Sequence, residues 1–184
     1  AIIDYVLQLH LPEQASVIDL GTGSGAIALA LASEKPDYFV VASDFSEGAI
    51  AVAKQNSQQL VAKGACREIS LLRGDWLSAF ANNSFDMVVS NPPYIDEQDT
   101  HLQQGDVRFE PLSALVSKDF GYDDIKLISR QAKACLKIGG HLIIEHGYDQ
   151  RETIIKIIEA EGYLNVVDHD DLNGVPRFIT AVKS

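Results

Sequence analysis

Four residues near the middle of the chain, Asn91-Pro92-Pro93-Tyr94, set an amide, two imino acids and an aromatic ring directly after the apolar run Phe85–Ser90. Proline carries no backbone N–H, so this stretch offers main-chain acceptors and almost no donors. The Asn91 side-chain oxygen and the Pro92 carbonyl can converge on one group. Proline's fixed dihedral, and the extended conformation imposed on the residue before each proline, hold such acceptors in place. Two acceptors beside a flat ring suit a planar –NH₂ group. Such a nitrogen, in an amide or a nucleobase, is a weak nucleophile because its lone pair is delocalised. Acceptors on both hydrogens favour the positive charge that develops as it attacks, and Tyr94 can pack against its plane. This is preorganised electrostatics with orientation, and it needs no general base at the start. A plain turn is the other reading, since Asn-Pro commonly opens one.

A second set of residues can hold a nucleoside. Asp19-Leu20-Gly21-Thr22-Gly23-Ser24-Gly25-Ala26 runs from a β-rich segment straight into a helical one. Glycines there allow a tight turn and close approach of a ligand to the backbone, and a helix N-terminus presents free N–H groups to an anion, either a pyrophosphate or a carboxylate. Asp44 follows roughly 20 residues after the loop, where a carboxylate accepts hydrogen bonds from ribose hydroxyls. Asp75 and Trp76 follow the third strand, where the ring can flank an adenine and the carboxylate can accept from its amine. Each has an ordinary structural reading beside it: a tight connection for the glycines, a cap of the helix opening near Ser46 for Asp44, and a ring covering the sheet's end for Trp76. Gly21-x-Gly23-x-x-Ala26 also satisfies the dinucleotide fingerprint, so the loop alone leaves an NAD-dependent oxidoreductase open.

The elements that must position these groups alternate between short β-rich runs and longer helical stretches, the pattern of βαβ units around a mainly parallel sheet. Strands are expected at Ser16–Leu20, Phe39–Ser43, Ile69–Arg73, Phe85–Ser90, His141–Glu145, Asn165–Asp168 and Arg177–Val182. Helices are expected near Ala26–Ser33, Glu47–Lys63, Ile125–Leu136 and Asp149–Glu161, with a further amphipathic helix at the start of the chain. Gly139-Gly140 and Gly162 read as stops past helix ends. The last two strands have no helix between them, which predicts an antiparallel hairpin turning at Asn173-Gly174. Between Tyr94 and Ile125 lies a connection of about thirty residues, where 2–6 is usual; such loops serve as lids or binding loops.

The 184 residues, 46% hydrophobic, fit one globular domain. A net charge of −11 argues against a large phosphate-binding face. Two distant cysteines, Cys66 and Cys135, indicate neither a disulfide framework nor a metal site, and the expected setting is a reducing cytoplasm. Neither a membrane-spanning run nor a signal peptide is legible. The chain starts at Ala1 in a helical segment, and the expectation is a domain cut from something longer.

With Asn91-Pro92-Pro93-Tyr94-Ile95, the later stretches Val107-Arg108-Phe109-Glu110-Pro111-Leu112-x-Ala114-Leu115 and Leu142-Ile143-Ile144-Glu145-His146-Gly147 make the whole chain resemble the release-factor glutamine methyltransferases, the HemK/PrmC family. The resemblance implies an α/β Rossmann-like class I methyltransferase fold, with a seven-stranded, mostly parallel sheet, helices on both faces and a C-terminal antiparallel hairpin. It implies S-adenosyl-L-methionine as cofactor and S-adenosyl-L-homocysteine as product. The implied acceptor is the glutamine amide in the Gly-Gly-Gln motif of bacterial class I peptide chain release factors. Gly21, Thr22, Gly23, Ser24 and Gly25 would hold the cofactor's methionine end, Asp44 its ribose and Asp75-Trp76 its adenine surroundings. Asp19 would lie near the methionyl amine, and Asn91, Pro92, Pro93 and Tyr94 would clamp the glutamine. The family's helical N-terminal domain, expected to dock the partner, has no counterpart in these residues. The alternative acceptor is the amino group of adenine in DNA or RNA, which the acidic balance disfavours. His101 and His146 are expected on the surface or in loops, and Glu145 as support for Asn91 or as a structural residue.

Overall fold

A computed structural model describes residues 1–93, 95–96, 116–117 and 121–184. Tyr94, His101 and the motif Val107–Leu115 therefore lie outside the described residues. In chain order the elements are α1 (Ile2–Gln8), β1 (Ser16–Leu20), α2 (Ala26–Glu34), β2 (Phe39–Asp44), α3 (Glu47–Ala62), β3 (Ser70–Arg73), β4 (Phe85–Ser90), β5 (Ile95–Asp96) and β6 (Val116–Ser117). They continue with α4 (Tyr122–Cys135), β7 (Leu136–Glu145), α5 (Arg151–Ala160), β8 (Leu164–Asp170) and β9 (Pro176–Val182).

Seven strands form one sheet in the order β3-β2-β1-β4-β7-β9-β8, and only β9 runs against its neighbours. β5 and β6 make a separate two-residue parallel ladder that the sequence pattern does not announce. Because β1 lies between β2 and β4, the chain winds outward from it in both directions. The crevice at the carboxyl ends of β1 and β4 is the switch point at which open α/β sheets bind ligands.

β1 and β4 are apolar on both faces because both faces are covered. Val17, Met87 and Val89 join Val6 of α1 and Ala28 and Leu31 of α2 in one core. Ile18, Leu20 and Val88 join Ile125 and Ile128 of α4 and Ile154 and Ile158 of α5 in the other. This period of two has a consequence for the site: Asp19, next in β1 after Ile18, points with Val17 toward α2.

One expected stop signal falls elsewhere. Gly139 and Gly140 do not follow a helix end; α4 stops at Cys135 and Leu136 enters β7 at once in extended conformation. The two glycines sit inside β7, where the register against β4 shifts between the pairs Phe85↔Leu136 and Met87↔His141. A Cβ on Gly140 would stand 2.8 Å from the Lys137 carbonyl oxygen and 3.2 Å from that of Asp86, so the bulge admits only glycine. The Asn173-Gly174 hairpin turn is present, with the Asp171 carboxylate accepting from the N–H groups of Asn173 and Val175 at 2.8 and 3.1 Å. No helix among the described residues is long and apolar enough to cross a membrane.

Candidate cofactor and acceptor site

The end of β1 carries a buried carboxylate. Asp19 is 1% exposed, and its Oδ2 accepts from the Thr22 hydroxyl at 2.6 Å and from the Ala28 N–H at 3.1 Å. Ala28 lies in the first turn of α2, so the group rests against free N–H groups of that helix. Burial pushes the pKa of Asp19 up to about 7; the Thr22 and Ala28 bonds pull it down by less, and the neighbouring Asp44 charge adds to the rise.

The loop after β1 is shaped for close approach. Gly25 caps α2 with φ at 84°, and a Cβ there would come within 3.2 Å of Leu29 Cδ1 and 3.3 Å of Ala53 Cβ. Gly21, at φ 64°, runs beneath the Trp76 ring: a Cβ on it would lie 3.4 Å from Cζ3 and 4.0 Å from the Asn91 carbonyl oxygen. The loop is tied to β2 by the Thr22 N–H donating to the Ser43 carbonyl at 3.0 Å.

Asp44 ends β2 as a tie between two elements. Its Oδ2 accepts from the Gly23 N–H at 3.0 Å and its Oδ1 from the Ser46 N–H at 2.8 Å. The cap of α3 is Ser46 itself, whose hydroxyl accepts from the Ala49 N–H at 3.2 Å. Asp44 thus fixes the glycine loop and the entry to α3 in one geometry. Each of its oxygens keeps a second lone pair for a ligand.

The turn after β3 is held under strain. Trp76 adopts φ 45°, a left-handed value uncommon for a bulky residue. The Gly74 N–H donates to the Asp44 carbonyl at 3.1 Å, and the Leu77 N–H to Gln131 Oε1 of α4 at 2.8 Å. At the end of β4 the Ser90 hydroxyl donates to the Leu20 carbonyl at 3.0 Å, and the pairing Leu20↔Ser90 brings Asn91 alongside Gly21.

These pieces enclose one cavity of about 830 Å³, a size that suits a cofactor. Its wall contains Asp19, Gly21, Thr22, Gly23 and Ser24 from the glycine loop, with Asp44 from β2. Asp75, Trp76, Asn91 and Pro93 complete the expected set. Gly25 and Pro92 stand outside the wall: Gly25 supplies the turn into α2, and Pro92 is buried behind Asn91. Tyr94 lies outside the described residues.

Sequence reasoning missed four wall residues of note, Phe45, Ser46, Val52 and Asp124. Phe45 and Val52 are 72% and 48% exposed, an apolar edge beside Asp44 that an aromatic ligand plane would cover. An aromatic directly after the ribose candidate was a readable signal. Asp124, in the first turn of α4, had none, because the connection of about thirty residues separates it from the motif it joins. The wall holds four carboxylates, Asp19, Asp44, Asp75 and Asp124, and no Lys, Arg or His among the described residues.

His146 lies in a loop, just past the end of β7, but not on the surface. It is fully buried, its Nδ1 2.8 Å from the Gly147 carbonyl and its Nε2 2.7 Å from Asp168 Oδ1. Asp168 in turn pairs with Arg151, so His146 ties the end of β7 to β8 and α5 and takes no part in the cavity wall. A lone His after an apolar strand gives no sign of a carboxylate that arrives 22 residues later. Glu145 is half-buried and also lies outside the wall.

Comparison with known proteins agrees with this geometry. The family model for the methyltransferase small domain matches residues 5–109. Release factor glutamine methyltransferase from Escherichia coli K12 is 52% identical over 158 residues, covering 85% of this chain and 56% of the relative. The proteins of that name from Shewanella oneidensis and Coxiella burnetii are 45% and 39% identical, over 96% and 98% of this chain and 60% and 63% of theirs. The chain therefore spans less than two thirds of the length of these curated relatives. Among solved structures, a predicted O-methyltransferase from Agrobacterium tumefaciens superposes with a TM-score of 0.70 at 18% identity, covering 99% of this chain and 80% of that one. A ribosomal protein L11 methylase from Lactobacillus delbrueckii subsp. bulgaricus gives 0.69 at 18% identity, covering 100% and 78%. The fold is that of the class I methyltransferases. By its matched residues and its fold, the chain belongs to the methyltransferase small domain family.

Proposed function

We propose that this chain transfers a methyl group from S-adenosylmethionine to the side-chain amide nitrogen of the glutamine in the Gly-Gly-Gln motif of bacterial class I release factors, in the cytoplasm. The observation that carries this reading is the cavity wall: a glycine loop and a ribose-type carboxylate share one space with Asn91 and Pro93, and among the described residues the wall's charged groups are all acidic. A pyrophosphate would meet Asp19, Asp44, Asp75 and Asp124 with no Lys, Arg or His in the wall among the described residues, which weighs against a nicotinamide dinucleotide. A ligand bearing a sulfonium and an ammonium is the chemistry such a wall favours.

The residues present fit that cofactor. Gly21 to Ser24 would hold its methionyl end, Asp19 its amino group and Asp44 its ribose, with Phe45, Val52 and Trp76 as the apolar surface for its adenine. Bound there, the cofactor supplies an electrophilic methyl group on a positively charged sulfur. The chain's own part is to bring the acceptor nitrogen to that methyl and hold its hydrogens. Asn91, fixed beside Gly21 by the β1–β4 register and stiffened by Pro92 and Pro93, offers its side-chain oxygen to the amide –NH₂. That bond strengthens as the nitrogen becomes positive, so it stabilises the transition state more than the bound substrate. Tyr94 completes the clamp in this reading.

Glutamine is favoured over adenine as acceptor by the 39–52% identity to proteins named release factor glutamine methyltransferase and by the net charge of −11, which opposes a phosphate backbone. The test is transfer of labelled methyl from S-adenosylmethionine, comparing an intact release factor, the same factor with its Gly-Gly-Gln glutamine changed to alanine, and duplex DNA. Label on the intact factor alone is expected. Label on DNA, or equal label on the alanine variant, would overturn the choice of acceptor.

A further inference from the structure

One carboxylate oxygen in the cavity has no partner among the described residues. Both donors to Asp19, the Thr22 hydroxyl and the Ala28 N–H, converge on Oδ2. Among the described residues none donates to Oδ1, and that oxygen opens on the cavity, since no fully enclosed side-chain oxygen there lacks a hydrogen-bond partner. A carboxylate that is 1% exposed and half-satisfied thus has one oxygen left for a ligand in the cavity it lines.

The groups around it are mostly of its own sign. Asp44 of β2 acts on it directly, and Asp75 from the turn after β3 and Asp124 from α4 stand in the same wall; α2 contributes the Ala28 N–H, and the glycine loop the Thr22 hydroxyl. No Lys, Arg or His stands in the wall among the described residues. A buried carboxylate with no counter-ion among the described residues is costly in its charged form, and the neighbouring Asp44 charge adds to that cost. Two donors and one helix terminus offset only part of it. A proton on Oδ1 removes the charge and leaves both bonds to Oδ2 intact.

We propose that Asp19 is a proton-exchanging receptor for a cationic amine: in the empty cavity it is the neutral acid, and the ammonium of the bound ligand takes the place of its proton. Identifying that amine with the methionyl end of the cofactor rests on the function proposed above. The exchange balances as a carboxylic acid plus an ammonium ligand giving a carboxylate–ammonium pair plus one proton released to the buffer. No bond other than O–H is broken. The pKa of about 7 for Asp19 in the ligand-free protein places this exchange in the physiological range. Cofactor affinity therefore falls as pH drops below 7, and each binding event acidifies the solution.

Calorimetry with S-adenosylmethionine, run in two buffers of different ionisation enthalpy, counts the protons. At pH 6 an amino group of ordinary pKa, about 7.7–8.0, is already protonated, so a released proton comes from the protein. Release of about 0.9 proton per site at pH 6, and an affinity about fivefold higher at pH 7 than at pH 6, are expected from the pKa of Asp19. In Asp19→Asn the proton release and the pH dependence across this interval should vanish, whatever the loss of affinity. Should that variant fail to fold, ¹³C-carboxylate NMR of the native protein decides: one Asp carboxyl titrating near 7 in the free protein and ionised at pH 6 in the complex is the predicted signature. Measurable binding with no proton released, or release that persists in Asp19→Asn, would overturn the exchange while leaving the cofactor reading intact. Absence of any binding between pH 6 and 8 would remove both.

Discussion

Replacing Asp19 by Asn should make the ligand-free protein more stable at pH 8, although it removes a residue the site uses. An unfolded chain holds this carboxyl at its ordinary value of 3.8, whereas the folded protein raises it to about 7. Between those values the native state binds the extra proton, so folding stability falls as pH rises through the interval, with the full contribution present below 3.8 and lost above 7. The whole interval corresponds to about 4 kcal/mol, of which about 2–3 kcal/mol falls between pH 5 and pH 8. Asn is neutral at every pH and keeps an oxygen for the Thr22 hydroxyl and the Ala28 N–H, so its stability lacks this slope. Urea unfolding of both proteins at pH 5 and pH 8 measures the effect. The stability of Asp19→Asn relative to the native protein should rise by about 2–3 kcal/mol over that range, equivalent to about 5–10 °C in Tm for a chain of this size. A difference that stays constant with pH, or moves the other way, would refute the assignment of a neutral Asp19 in the empty cavity. Saturating cofactor should reverse the order, because only the native residue can pair with the ligand's ammonium.

Other substitutions probe the remaining parts of the wall. Asp44→Ala should weaken S-adenosylmethionine binding about 10–100-fold by calorimetry, since it deletes charge-assisted bonds to the ligand and releases the Gly23 and Ser46 N–H groups that shape the loop. Asp44→Asn, keeping one acceptor, should fall between the two, and an affinity unchanged in Asp44→Ala would remove Asp44 from the site. Asn91→Ala should leave cofactor affinity nearly unchanged and lower the single-turnover rate on saturating release factor about 10²–10³-fold, by analogy with loss of one oxyanion-hole donor. A variant that loses only apparent substrate affinity would reduce Asn91 to a docking residue.

Much of the architecture was legible because it rests on local rules. The apolar runs of β1 and β4 read as buried parallel strands, and Asn173-Gly174 read as the hairpin turn it makes. Asp19, Asp44, Asp75, Trp76 and Asn91 fell at strand ends in the pattern, and a single sheet edge gathers them into one cavity. What was not legible depends on partners distant in sequence. Gly139-Gly140 looked like a helix stop, yet its cause is the approach of the Lys137 and Asp86 carbonyls in a bulge of β7. His146 is the loop residue it looked like, but its burial depends on Asp168 of β8, which no local signal announces. Asp124 enters the wall because α4 packs against the turn after β3, where the Leu77 N–H donates to Gln131, a placement set by packing and not by any motif.

The decisive experiment is to locate the methyl group on the product. An intact release factor incubated with this chain and S-adenosylmethionine, then digested and sequenced by tandem mass spectrometry, should show a mass gain of one methylene on the Gly-Gly-Gln glutamine, with the fragment ions placing it on the side-chain amide. Cofactor turnover with that glutamine unmodified, or methylation at another residue type, would contradict the reading of Asn91-Pro92-Pro93 as a clamp for a glutamine amide.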